Sequence, residues 1–135
     1  MILRPAIPTD LPAIAEIQAA CPEASQWNPS DYFNYNCWVA EKDRLCGFIV
    51  TRQTAPGESE ILNLAVAPVC RRSGVGRELL DAALEAAPGA WFLEVRESNV
   101  GAIRLYENAG FRVCGKRPAY YSEPCEAGIV MSREK

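Results

Sequence analysis

The stretch Arg71-Arg72-Ser73-Gly74-Val75-Gly76 holds the residue types and spacing best suited to chemistry. Two glycines separated by one residue let a backbone approach a ligand closely. The apolar repeat that follows places them at a helix start. There, unpaired N–H groups and the positive end of the helix dipole face outward. Such a turn is an anion site fit for a diphosphate, and Arg71 and Arg72 add cationic partners. The same residues also suit a plain strand-to-helix turn. Two other phosphate loops are excluded. Arg77-Glu78 stands where a Walker loop needs Lys-Ser/Thr, and Leu79 where a dinucleotide fingerprint needs its third glycine.

The chain contains no histidine. Ser-His-Asp and Cys-His pairs are therefore excluded, and a general base must be Glu, Asp, Tyr, Lys, Cys or a water chain. The six cysteines, at 21, 37, 46, 70, 114 and 125, show no C-x-x-C spacing, so no metal site is expected and most are read as buried free thiols. A net charge of −3 and the lack of a basic run argue against nucleic-acid binding. No apolar run is long enough to span a membrane, and Met1-Ile2-Leu3-Arg4-Pro5 does not read as a signal peptide, so the expected compartment is the cytoplasm. Composition and length point to one globular domain over 1–135.

The elements that must carry these residues follow from periodicity. Met1 to Arg4 reads as a strand. Thr9-Asp10 offers capping side chains to a helix bearing Leu11, Ile14 and Ile17, and Pro29 to Asp31 opens a short second helix. Cys37 to Glu41 and Leu45 to Arg52 read as a hairpin, Thr54 to Ser59 as a loop, and Glu60 to Val66 as an apolar strand. Gly74 to Ala87 is the clearest helix, ended by Pro88-Gly89. Ala90 to Val95 is a strand, and Asn99 begins a helix stopped by Gly110. Phe111 to Gly115 and Ala127 to Met131 are the last strands, with Tyr120-Tyr121 between them. The order β-α-α-β-β-β-α-β-α-β-β implies a mixed α/β fold: one mixed sheet with helices on both faces and a parallel pair joined through the best helix.

Taken together, these motifs resemble the GNAT superfamily of acetyl-CoA-dependent N-acetyltransferases. Arg71-x-x-Gly74-x-Gly76 is similar to its Q/R-x-x-G-x-G/A signature, and Leu64-Ala65-Val66-Ala67-Pro68 to its acetyl-CoA strand. Asn99 and Leu105-Tyr106-Glu107-Asn108-Ala109-Gly110-Phe111 resemble its last helix. The resemblance implies a mostly antiparallel sheet whose parallel strands are splayed by a bulge. It also implies acetyl-CoA as the acyl donor without a metal, bound by Leu64, Ala65, Val66, Arg71, Arg72, Ser73, Gly74, Val75, Gly76, Asn99 and Tyr106. Leu64 and Val66 are the expected backbone partners of the cofactor arm, and a backbone N–H of this strand the expected oxyanion donor. On residues alone, Asn99 serves equally as an N-cap.

Within the superfamily, Glu60 to Val66, Leu93 to Asn99 and Tyr120-Tyr121 resemble the branch that acetylates the amino-terminal alanine of a ribosomal protein. That likeness implies Glu94 as general base and Tyr106 as general acid. Without it, Glu94 is also compatible with a solvent-facing strand position and Tyr106 with a core aromatic. An α-amine has an ordinary pKa near 7.7–8.0, so a carboxylate base suffices for it. The acceptor is expected to be a basic N-terminal peptide, walled by Trp27, Tyr32, Tyr120 and Tyr121, with Glu41, Glu60, Glu123 and Glu126 attracting its charge. Pro22 to Trp27 differs from the branch's aromatic-proline-tryptophan stretch, and Ser73 replaces its basic residue. A small-amine acetyltransferase and a non-catalytic acyl-CoA-binding module are the alternatives, and the oligomeric expectation is a monomer or a homodimer.

Overall fold

The computed structural model describes residues 1–122 and 125–134; Glu123 therefore lies outside the described residues. Seven strands, β1 (Ile2–Pro5), β2 (Asn36–Lys42), β3 (Arg44–Ala55), β4 (Glu58–Val66), β5 (Ala90–Arg96), β6 (Arg112–Ser122) and β7 (Cys125–Arg133), form one sheet in the order β1-β2-β3-β4-β5-β7-β6. Three α-helices, α1 (Leu11–Ala19), α2 (Val75–Ala86) and α3 (Val100–Asn108), and short 3-10 turns, including Pro29–Asn34, complete it. All neighbouring strands are antiparallel except β4 and β5. The element order expected from periodicity is the one observed.

Two apolar layers sandwich the sheet. On one face α2 and α3 pack Leu79, Leu80, Ala83, Tyr106 and Phe111 against Trp91, Leu93, Val95 and Met131. On the other, α1 and the Pro29–Asn34 turn pack Ile14, Ile17 and Tyr32 against Val39, Phe48, Val50 and Leu62. The strand β5 alternates accordingly. Trp91, Leu93 and Val95 are buried beneath the helices, while Phe92, Glu94 and Arg96 take the opposite side.

The β3–β4 register slips by one residue. Val50 faces Asn63 and Thr51 faces Ile61, so Leu62 is the extra residue of a bulge. The slip breaks side-chain parity. Ile61 packs with the α2/α3 layer and Leu62 with the α1 layer, and Leu64 and Val66, rather than Asn63 and Ala65, then return to the first. Parallel pairing with β5 ends at the same place, Ile61 opposite Leu93, and beyond it the two strands part. The closed end of this V is fixed by a backbone contact. Ala90 N donates to Gly57 O at 2.9 Å, and Gly89 (φ 131°) lies so close to Gly57 that a Cβ there would overlap its carbonyl.

Several expected local features differ. Thr54 to Ser59 is not an open loop, because strand pairing carries on to Ala55 and Glu58 and leaves only Pro56-Gly57 as a turn. Tyr120 and Tyr121 lie within β6, which is far longer than Phe111 to Gly115. The Asp10 carboxylate does not cap α1. It accepts from Ile7 N (2.8 Å) and from both terminal nitrogens of Arg4 (2.8 and 2.9 Å). Cys21, Cys37 and Cys46 are buried, but Cys114 and Cys125 are exposed on the β6–β7 hairpin.

Two outcomes follow. Gly89→Ala must strain a left-handed residue against Gly57, and is expected to lower the unfolding free energy in urea by about 1–3 kcal/mol. Arg4 holds the Asp10 carboxyl below the usual aspartate range. That contribution is present above the ordinary value near 3.9 and is lost as pH falls through the lower folded value. The stability advantage of the wild type over Asp10→Asn, measured at pH 7, should therefore shrink at about pH 3; an equal gap at both values would remove the role given to this pair.

Candidate active site

Parting β4 from β5 leaves backbone groups that no strand satisfies. Ala67 N donates to Cys46 O (2.8 Å), so by antiparallel alternation Ala65 also faces β3, and the N–H groups of Leu64 and Val66 turn towards the opening. Leu64 N is taken by the side chain beside it, Asn63 Oδ1 at 3.0 Å. Of the two expected backbone donors, Val66 is thus the one turned to the opening without that side-chain partner. Val66 O accepts from Arg71 Nε (3.2 Å) and from the Cys21 thiol (3.3 Å).

The wide end of the V opens into a cleft of about 450 Å³. Leu64, Ala65 and Val66 form one wall, Arg71, Arg72, Gly74, Val75 and Gly76 its head, and Asn99, Ala102 and Leu105 the other wall. The head has the backbone geometry of an anion site. Arg72 (φ 66°) and Gly74 (φ 82°) both turn left-handed, and α2 starts at Val75, beside the cleft, with first-turn N–H groups that have no partner within the helix. A Cβ on Gly74 would meet nothing within 4 Å, whereas one on Gly76 would crowd Leu105 (3.3 Å) and touch Val66 (3.5 Å). Gly74 therefore supplies the turn and Gly76 the clearance. Ser73 is not part of this lining. Its hydroxyl donates to Cys70 O at 2.5 Å and it borders the far side of the loop. Arg71 reaches across the cleft mouth to Glu23 (2.8 Å), which lines the cleft together with Ala24. Asn99 does cap α3, accepting from Ala102 N at 3.2 Å, and also faces the cleft.

Where the strands begin to part, a smaller cavity of about 30 Å³ holds Glu94, Tyr106 and Tyr121, with Ser25, Leu62, Asn63 and Arg96 around them. Arg117 approaches Glu94 Oε1 at 3.4 Å, but Glu94 Oε2 is buried with no hydrogen-bond partner among the described residues. A buried acceptor left unpaired is costly and ready to take a proton donor. Gly128 makes room for it, since any side chain there would overlap that oxygen. Burial pushes the Tyr106 phenol well above its ordinary value, with Tyr121 as a lesser cause. Tyr121 is pushed up to about 12, by burial first and by Glu94 next. Phenols are already protonated at neutral pH at their ordinary value near 10, and these shifts hold the two protons more firmly. Arg96 lies 4.3 Å from the Tyr121 ring centroid and pairs with Glu126 at 3.0 Å.

The expected acceptor walls are only partly assembled. Tyr121 lines the cavity, while exposed Tyr120 stacks on it edge-to-face (5.0 Å) and on Arg117 (5.1 Å). Tyr32 does not wall a groove, being fully buried, with its hydroxyl donating to Gln18 and accepting from Asn63. Glu60 lies in the closed part of the V, paired with Arg52 at 2.8 Å, and Glu41 pairs with Arg4. Trp27 is exposed and outside both linings. Residues not foreseen are Glu23, Ala24, Ala102 and Leu105 in the cleft, and Ser25, Asn63, Arg96 and Gly128 around Glu94. The spacing of Ala102, Leu105 and Tyr106 on one helix was the available signal for two of them.

A sheet opened between its parallel strands, with a glycine-rich helix start at its head, defines the acyl-CoA-dependent acetyltransferases. The chain matches the Acetyltransferase (GNAT) family over residues 10–111 and belongs to it. As such it is an acetyl-CoA-dependent N-acetyltransferase. It is 33% identical to the [Ribosomal protein bS18]-alanine N-acetyltransferase of Salmonella typhimurium, across 92% of this chain and 90% of that enzyme. An uncharacterised protein of Mycobacterium leprae is 43% identical over 75% of this chain, which spans only 30% of that protein's length. The crystal structure of the Escherichia coli ribosomal-protein-alanine N-acetyltransferase superposes with a TM-score of 0.83 at 28% identity, covering 98% of this chain and 92% of that one.

Gly76→Val fills the clearance between Leu105 and Val66. It is expected to weaken coenzyme A binding about tenfold or more by calorimetry, with the folded circular-dichroism spectrum retained. Unchanged affinity would place the cofactor elsewhere.

Proposed function

We propose that this enzyme acetylates the α-amine at the amino terminus of a protein, by direct attack on acetyl-CoA in a ternary complex. The observation that carries the reading is the unpartnered, buried Oε2 of Glu94 in the same small cavity as Tyr106. The likeness to enzymes named for ribosomal-protein alanine supports the acceptor class.

Acetyl-CoA supplies the activated thioester. Gly74, Val75 and Gly76 offer backbone N–H groups to its diphosphate with Arg71 and Arg72 as cations, and the Val66 edge offers a strand-like partner to its arm. Glu94 accepts a proton from the attacking amine. A new C–N bond forms as the C–S bond breaks, and Tyr106, a phenol protonated at neutral pH, gives its proton to the departing sulfur. The Val66 N–H is the donor offered to the thioester oxygen. Tyr121 and Ser25 flank the cavity that the amine enters. The acceptor class, the N-terminal segment of a protein, and its ribosomal origin are taken from the relatives. No helix among the described residues is long and apolar enough to cross a membrane, and the proposed compartment is the cytoplasm.

A thiol-release assay with acetyl-CoA tests the reading, comparing a basic peptide beginning with alanine against a panel of polyamines and amino acids. Turnover on the peptide with mass added at its α-amine is expected. Turnover confined to a small amine would replace the acceptor, and coenzyme A binding without any turnover would leave an acyl-CoA-binding module. In the active assay Glu94→Gln should lower kcat by about a hundredfold or more and flatten its pH dependence, and Tyr106→Phe should also lower kcat. Both should keep coenzyme A affinity; full turnover in either variant would remove that residue's role.

A further inference from the structure

The loop between α1 and the Pro29–Asn34 turn has no regular secondary structure, yet it supplies Ser25, Ala24 and Glu23 to the cavity that holds Glu94. Its shape comes from side-chain amides. Gln26 Nε2 donates to the carbonyls of Gln18, Cys21 and Ala24 at 3.0–3.2 Å, which curls the loop on itself. Its position against the sheet depends on Asn63. This side chain is 5% exposed and stands directly after the bulge residue Leu62. Asn63 Nδ2 donates to Ser25 O (2.9 Å), and Asn63 Oδ1 accepts from Ser25 N (3.3 Å), gripping both backbone groups of one residue. The same amide donates to Tyr32 Oη (2.9 Å) and Gln18 Oε1 (3.4 Å), and accepts from Leu64 N (3.0 Å).

We propose that Asn63 is a positioning residue for the acceptor, setting the gap between the Ser25 backbone and Glu94 through which the amine reaches the base. The inference rests on the acceptor side of the cavity as read above. Only a carboxamide meets the demand. One atom must accept from Ser25 N–H while its neighbour donates to Ser25 C=O, so an aspartate loses the second bond and an aliphatic residue both. The grip depends in turn on the bulge. Without the parity shift at Leu62, residue 63 would point to the other face of the sheet, away from the loop. Asn63 therefore ties the geometry of the acceptor wall to the same irregularity that opens the donor cleft.

The test compares Asn63→Ala and Asn63→Asp with Tyr32→Phe. The last removes a hydroxyl from the same network but leaves the Ser25 grip intact. With whichever amine the wild type turns over, both Asn63 variants should raise the acceptor KM about tenfold while coenzyme A affinity stays within about twofold. Hydrogen–deuterium exchange should quicken in residues 21–28. Tyr32→Phe should lower Tm without changing the acceptor KM. Equal losses in acceptor KM and coenzyme A affinity, the same KM change in Tyr32→Phe, or unaltered exchange in 21–28 would each overturn the role. The exchange readout needs no acceptor, so it separates failure of this inference from failure of the peptide reading. Asn63→Asp preserves side-chain volume, and its exchange pattern decides the matter if Asn63→Ala does not fold.

Discussion

Two parallel strands that stop bonding one another halfway along their length are the constraint on which this structure depends. Backbone amides turned away from every strand need other partners, and a sheet interior rarely leaves them unpaired. Here the extra residue at Leu62 ends the pairing of β4 with β5 at Ile61 and Leu93. Past that point the strands enclose a cleft rather than a ladder. The rest of the fold adjusts to it. The Gly57–Gly89 contact closes one end of the V, the helix start at Val75 stands at the other, and α3 covers the side that β5 has vacated.

The same parting explains how a strand carboxylate becomes a candidate base. Glu94 lies one residue past the last position at which β5 pairs with β4, on the face opposite Trp91 and Val95. There it lies outside the apolar layer beneath the helices and is largely, though not fully, shielded from solvent. A Cβ at 128 would overlap its carboxylate, so the glycine there leaves it room, and the neighbouring phenols are proton donors at neutral pH. The cavity thus sets an acceptor for protons beside donors of protons, an arrangement suited to moving one proton in and another out.

Much of this was legible in the sequence. The turn at Gly74 and Gly76, the helix through Leu80 and the strand around Glu94 carry strong local signals, and the family motifs placed them in order. The family resemblance implied the bulge that the structure shows, but the residues by themselves could not reveal it. Ile61, Leu62 and Leu64 are all apolar because β4 is covered on both faces, so no alternation exists whose slip would reveal it. Tyr32 misled for a related reason. An aromatic with a polar tip suits a groove wall equally well, and its true partners, Gln18 and Asn63, lie 14 and 31 residues away in the chain. The Ser73 hydroxyl, in the loop before α2, donates to Cys70 O, a partner that a short polar side chain does not announce.

The contact from Arg71 to Glu23 bears on the medium in which the enzyme works. Both side chains are partly exposed, at 45% and 36%, so dissolved ions reach the pair. A diphosphate that takes Arg71 does not meet a bare cation; it exchanges one ion pair for another. Added salt screens the pair that is broken as well as the pair that is formed. If the donor's diphosphate takes Arg71 as proposed, its capture there is less sensitive to ionic strength than capture by an arginine with no ion-pair partner to give up.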